Sequence, residues 1–131
     1  MSKLVERAQT ALALHVDQGE ELKAAGLFLR ADPIFKTILL QMLWPAALKY
    51  YFVGVTDKRL ILVRCHSISY EALEETYSVP SADVEVKGQA LLLKLPGEVK
   101  RVTLGMDFSK TGFTVRDANE FMKALSLIKN E

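Results

Sequence analysis

Cys65 and His66 are adjacent, and a thiol beside an imidazole is the raw material of nucleophilic catalysis. The run that ends in them, Leu60-Ile61-Leu62-Val63-Arg64-Cys65, has the apolar, β-branched character of a strand. Neighbours on a strand point to opposite faces, so these two side chains meet only across a bulge. A small enzyme using Cys65 and His66 is therefore the remotest function the sequence allows. His15 lies within an apolar helical stripe and reads as a packed, hydrogen-bonded side chain; neither histidine has a companion at metal-ligand spacing. Glu71, Glu74 and Glu75 place three carboxylates within five residues, enough in principle for proton transfer or a hard cation. Their setting, a loop or short helical turn between Ser67 and Tyr77, leaves them hydrated and reads as a solvated face. Gly88, Gly97, Gly105 and Gly112 are dispersed among expected turns and strand ends, so no phosphate-cradling loop is spelled out. The expectation is no catalytic residue, no metal site and no cofactor.

Composition narrows the classes further. The 131 residues suit one domain with one hydrophobic core, and half of them are hydrophobic while a quarter are charged. Against 16 acidic residues stand 17 basic ones, a net charge of +1 that provides no global field for a polyanion, so nucleic acid is not the expected partner. Cys65 is the single cysteine, which excludes an intramolecular disulfide and fits a reducing compartment. The first residues mix both charge signs and lack an export signal, so a cytoplasmic protein is expected.

The elements that must position these side chains follow from periodicity. Leu4, Val5, Ala8, Ala11, Leu12, His15 and Val16 share one helical face, predicting an amphipathic helix over residues 2–18, with Ser2 as N-cap and Gly19 as stop. Residues 21–30 alternate as a strand and run into Asp32-Pro33. Residues 33–48 are the oddest stretch. Ile34, Phe35, Ile38, Leu39, Leu40, Met42, Leu43 and Trp44 leave no polar face at helical spacing, so protein, a second subunit or lipid must cover them. Lys36, Gln41 and Pro45 interrupt the stretch, and it falls short of the roughly 20 residues that a spanning helix needs.

Next come two apolar and aromatic runs, residues 50–55 and 60–65, around the polar Thr56-Asp57-Lys58-Arg59, a β-hairpin pattern. Four further strands are predicted around 76–79, 84–87, 90–95 and 99–105, separated by Pro80-Ser81, Gly88-Gln89 and Pro96-Gly97. Alternation at Val84/Val86 and Val102/Leu104 implies one buried and one wet face, hence an antiparallel meander. A closing helix over about 114–129, capped by Thr114 or Asp117, puts Val115, Ala118, Phe121, Met122, Leu125 and Ile128 on one face. The fold class is mainly β (α+β): about seven strands over roughly 20–106 in a bent antiparallel sheet or half-barrel, an extra N-terminal helix and a C-terminal capping helix, in one domain.

The stretch Tyr51-Phe52-Val53-Gly54-Val55-Thr56-Asp57-Lys58-Arg59-Leu60-Ile61-Leu62-Val63 resembles the hairpin of bacterial pleckstrin-homology-like domains, relatives of the GRAM domains, in which two apolar strands flank Thr-Asp-x-Arg. The resemblance extends over roughly residues 20–129, and the helix before it and the apolar insertion at 33–48 depart from it. It implies a binding fold used for phosphoinositide contact, protein contact or oligomer formation, without choosing among them. The expected function is a non-enzymatic interaction module that meets a protein partner or its own copy through Ile34, Phe35, Ile38, Leu39, Met42, Leu43 and Trp44. The alternative implied by the resemblance is peripheral binding to anionic lipid, with Lys36, Lys49, Lys58, Arg59 and Arg64 as headgroup contacts. Arg59 beside Asp57 also reads as a local ion pair closing the hairpin turn.

Overall fold

The computed structural model describes residues 3–30, 49–66, 71–88, 90–97, 101–106 and 115–129. Helix α1 spans Lys3–Ala13 and is followed by β1 (Leu22–Arg30), β2 (Tyr50–Thr56), β3 (Arg59–Cys65) and β4 (Ala72–Pro80). A 3-10 turn, Ser81–Asp83, leads to β5 (Glu85–Lys87), β6 (Ala90–Leu93) and β7 (Val102–Met106), and α2 (Val115–Lys129) is the last described element. The seven strands form one antiparallel sheet in the order β4-β3-β2-β1-β7-β6-β5. Two meanders, β1–β4 and β5–β7, thus join where β1 pairs with β7. Seven strands with a helix at each end is the mainly β architecture expected of a pleckstrin-homology-like half-barrel.

Alternation along the strands sorts the core into two halves. Tyr51, Val53 and Val55 of β2 and Leu60 and Leu62 of β3 pack with Phe28 of β1 and with Phe121 and Leu125 of α2. The intervening Phe52, Ile61, Val63 and Cys65 pack with Leu27 and with Val5, Ala8 and Leu12 of α1. A helix on each face explains why every residue of β2 is buried, whereas an antiparallel sheet ordinarily keeps one face wet. Burial of each such Leu, Ile, Val or Phe is worth about 1.5–3 kcal/mol. The Phe28 and Phe121 rings, with centroids 5.0 Å apart and planes tilted by 55°, tie α2 to β1.

Gly54 sets how closely α1 lies on the sheet. A β-carbon there would stand 2.7 Å from Leu22 Cδ1 and 2.9 Å from Leu12 Cδ1, so the absence of a side chain lets both leucines press onto β2.

Five expectations are corrected. Helix α1 stops at Ala13 and not near residue 18, because the His15 and Val16 amides turn back to the Leu12 and Ala13 carbonyls at 3.0 and 3.4 Å and tighten the chain out of the helix. Gly19, at φ 85°, serves the following turn, where the Glu20 amide reaches the Asp17 carbonyl at 3.0 Å; it does not end the helix. His15 consequently leaves the apolar stripe and is exposed. The acidic stretch is strand and not loop: Glu74 and Glu75 belong to β4 and lie in the irregularity between the Cys65–Ala72 and Val63–Thr76 pairs, whose pairing on either side carries the strand through residues of weak propensity. At β5, Val84 is buried but Val86 is 37 % exposed, since this three-residue strand lies at the sheet edge.

The C-terminal helix follows its sequence pattern. Ala118, Phe121 and Leu125 are buried, and Met122 and Ile128 pack beside them, while Val115 at its first position is exposed. Ser2, Thr114, and all of 33–48, including the interface residues named above and Lys36, lie outside the described residues.

Candidate functional site

Of the five cations expected to contact a headgroup, Lys36 lies outside the described residues and the other four do not come together. Lys58 and Arg59 stand at the β2–β3 turn, whereas Lys49 and Arg64 stand at the opposite end of the same hairpin, since Tyr50 pairs with Cys65 and Val55 with Leu60. Six strand residues separate the two ends, or about 20 Å.

The turn end is a clasp. Thr56 is fully buried, and its hydroxyl accepts the Lys58 and Arg59 amides at 3.2 and 3.1 Å while donating to Glu20 Oε2 at 2.7 Å. Arg59 grips the same carboxylate through Nε to Oε2 at 3.0 Å and Nη2 to Oε1 at 2.9 Å. It also donates to the His15 carbonyl at 3.0 Å and to the Ser78 hydroxyl at 2.9 Å. The expected Arg59–Asp57 pair is replaced by Glu20, with Asp17 3.4 Å away; Asp57 instead accepts the Glu21 amide at 3.4 Å. The Glu20 side chain is 3 % exposed. Arg59 donation holds its carboxyl down at about 2, against the desolvation that pushes the other way, with the Asp17 backbone and Thr56 adding to the effect. Thr-Asp-x-Arg is therefore a structural motif in this chain: it fastens the α1–β1 connection to the hairpin, and Arg59 is committed to that task.

The other end gathers charge on the α2-facing side of the sheet. Tyr51 is opposite both Phe28 of β1 and Arg64 of β3. Its hydroxyl donates to Glu75 Oε2 at 3.4 Å, and Arg64 Nη1 reaches Glu75 Oε1 at 3.3 Å. Burial pushes the Glu75 carboxyl up, but a hydrogen bond from Tyr77 and the charges of Arg64 and Lys49 outweigh it and leave the group below its ordinary value. Burial and the Glu75 charge raise the Tyr51 phenol, opposed by a hydrogen bond from Arg30. The Arg30 amide donates to the Lys49 carbonyl at 3.0 Å. The connection formed by residues 31–48 therefore leaves and returns between two cations that are neighbours in the sheet. Lys49 and Arg64 act on Glu75 and Arg30 and Arg64 on Tyr51, with Glu71 and Glu74 exposed nearby at the start of β4. Arg30, Tyr51, Glu75 and Tyr77 were not among the expected contacts. Only the cross-strand register brings them together.

Cys65 and His66 lie in different surroundings. Cys65 packs against the α1 side of the sheet and its thiol is pushed up to about 12 by burial, whereas His66 is exposed beyond the strand end. Among the described residues, no three His, Cys, Asp or Glu side chains are grouped to hold a metal ion, and no helix is long and apolar enough to cross a membrane. Away from the cationic end, a shallow depression of about 560 Å³ lies beside Asp83, Lys94 and the Arg101–Glu85 ion pair, which closes at 2.9 Å.

The fold has a counterpart among solved structures. The hSac2 domain from the human phosphoinositide phosphatase Sac2 superposes with a TM-score of 0.53 at 9 % identity, over 95 % of this chain and 79 % of that one. A C-terminal domain of an unknown protein from Leishmania infantum gives 0.47 at 13 % identity, over 94 % of each chain. A Shewanella loihica protein with a pleckstrin-homology domain gives 0.35 at 18 % identity, over 81 % of this chain and 97 % of that one. At such identities the first likeness concerns the fold alone. No family model and no curated protein matches the sequence.

Proposed function

We propose that this chain is a non-enzymatic contact module whose working end is the cationic end of the half-barrel, and that it meets an anionic membrane surface there. The observation that carries this reading is the meeting of Arg30, Lys49 and Arg64 where the apolar connection 31–48 begins and ends. Cations at the stem of an apolar segment suit a headgroup layer: Phe35 and Trp44 enter it, while each Lys or Arg near the surface contributes about 1 kcal/mol. Glu71 and Glu74 on the rim add only a weak, screened opposition, and binding is expected to rise with surface charge. The test is flotation with vesicles of graded phosphatidylserine content. Recovery that rises with phosphatidylserine and falls with salt supports the reading, and equal recovery on neutral lipid defeats it.

A second reading, contact with a protein or another copy through Ile34, Phe35, Ile38, Leu39, Met42, Leu43 and Trp44, is favoured by a separate observation. Helices α1 and α2 pack on opposite sides of β1 and β2, so these strands are covered on both faces by the chain's own helices. Light scattering over a dilution series tests it. A strict monomer, unchanged by Leu39→Asp and Leu43→Asp, excludes self-association.

A further inference from the structure

The cationic end already contains an anion of its own. Glu75 takes up Arg64 at 3.3 Å and the Tyr51 hydroxyl at 3.4 Å, and 35 % of its side chain is exposed. Charge-assisted hydrogen bonds close to about 2.7–2.9 Å when well formed, so this carboxylate is held loosely by donors that a phosphate-type oxyanion would use equally well. Lys49 and Tyr77 act on the same carboxylate, and Arg30 acts on Tyr51. Glu74, one residue away on β4, is exposed and takes no part in these contacts.

We infer that Glu75 is a built-in competitor, occupying Arg64 and Tyr51 in the free protein and giving them up to the anionic headgroups of a membrane. The inference rests on the membrane reading above and adds a regulatory element to it: exchange of one carboxylate for lipid oxyanions sets the surface charge density at which the module attaches. A Glu75 that merely ordered Arg64 would help binding; a competitor hinders it. The two roles therefore predict opposite signs.

Sedimentation of the full chain with phosphatidylcholine vesicles carrying graded phosphatidylserine tests this, comparing wild type with Glu75→Gln, Glu74→Gln and Tyr77→Phe. Glu75→Gln is expected to bind about fivefold tighter and to reach half-maximal binding at a lower phosphatidylserine fraction. Glu74→Gln carries the same change in net charge and is expected to shift binding by less than about twofold, the screened long-range effect alone. Tyr77→Phe alters no charge but removes a hydrogen bond that holds Glu75, so it is expected to move binding in the same direction as Glu75→Gln. It keeps the test decisive if Glu75→Gln folds poorly. Equal gains for Glu74→Gln and Glu75→Gln, or weaker binding by Glu75→Gln and Tyr77→Phe, would overturn the competitor role while leaving the membrane reading in place. No binding by any form at high phosphatidylserine defeats both. Inorganic phosphate at matched ionic strength is expected to leave vesicle binding intact, and complete release by it would assign Arg64 to free phosphate and not to a membrane.

Discussion

Arg59 on β3 and Glu20 ahead of β1 are 39 residues apart in the chain and meet through two hydrogen bonds, Nε to Oε2 at 3.0 Å and Nη2 to Oε1 at 2.9 Å. Because Arg59 also holds the His15 carbonyl and the Ser78 hydroxyl, one guanidinium fixes the exit of α1, the approach to β1 and the β3–β4 pair.

Loss of either partner strands the other in a poorly hydrated site. Arg59→Ala is expected to lower unfolding free energy by about 2–3 kcal/mol, read by denaturant titration, and Lys58→Ala next to it by less than about 0.5 kcal/mol. A similar small loss for both would show that the clasp contributes nothing beyond a surface pair.

The same clasp sets an acid limit. Glu20 titrates at about 2 in the folded chain, through Arg59 donation first, against an ordinary 4.5. Between these values the unfolded chain binds the proton that the folded chain refuses, so the stabilisation is complete above pH 4.5 and drains away as pH falls toward 2. Wild type is expected to lose on the order of 2–3 kcal/mol across that window from this group, and Glu20→Gln to start lower and show a flatter profile.

Gly54 leaves α1 room to seat. Gly54→Ala drives a methyl into Leu12 and Leu22, and with Leu12 fully buried the expected loss is about 1–2 kcal/mol. Gly105→Ala, with nothing within 4 Å of its β-carbon, is the matched control and should change stability little. Thermal denaturation of the two variants checks the difference.

Cys65 should be inert in the folded protein. A thiol raised to about 12 and buried in the core presents neither thiolate nor access. Titration with a chromogenic disulfide is expected to show negligible reaction until denaturant unfolds the chain. Rapid stoichiometric modification of native protein would contradict the packing and revive a catalytic reading of Cys65 beside His66.

How much of this was legible in the sequence varies with how local the cause is. The hairpin was written in two apolar runs around Thr56-Asp57-Lys58-Arg59, and α2 in the spacing of Ala118, Phe121 and Leu125, because both depend on near neighbours. The end of α1 was not legible: periodicity carried the helix to Val16, whereas tight turns at His15 and Val16 end it, and Arg59, 44 residues on, binds the His15 carbonyl. Glu75 departs from expectation for a related reason, since Glu-Glu has no strand character of its own and is carried in β4 by the pairs that Ala72 and Thr76 make with β3 on either side. Lys49, Lys58, Arg59 and Arg64 were legible as cations, but grouping them as one set required ignoring the length of the hairpin that separates Lys49 and Arg64 from Lys58 and Arg59. Glu20 as the partner of Arg59 left no sequence signal, because the nearer Asp57 offered an equally good charge.

The division between the two ends of the hairpin makes a prediction of its own. Arg64→Gln and Lys49→Gln are each expected to weaken binding to anionic vesicles about fivefold, and Lys58→Gln by less than about twofold. Equal losses at all three positions would mean that the vesicle reads net charge and not this site.

Flotation with neutral and phosphatidylserine-rich vesicles, at low and raised salt, tests the central claim most directly. The account predicts recovery of wild type with the anionic vesicles alone, release by salt, and loss in the Lys49→Gln, Arg64→Gln double variant. Recovery independent of lipid charge, or a double variant that floats as well as wild type, would contradict it.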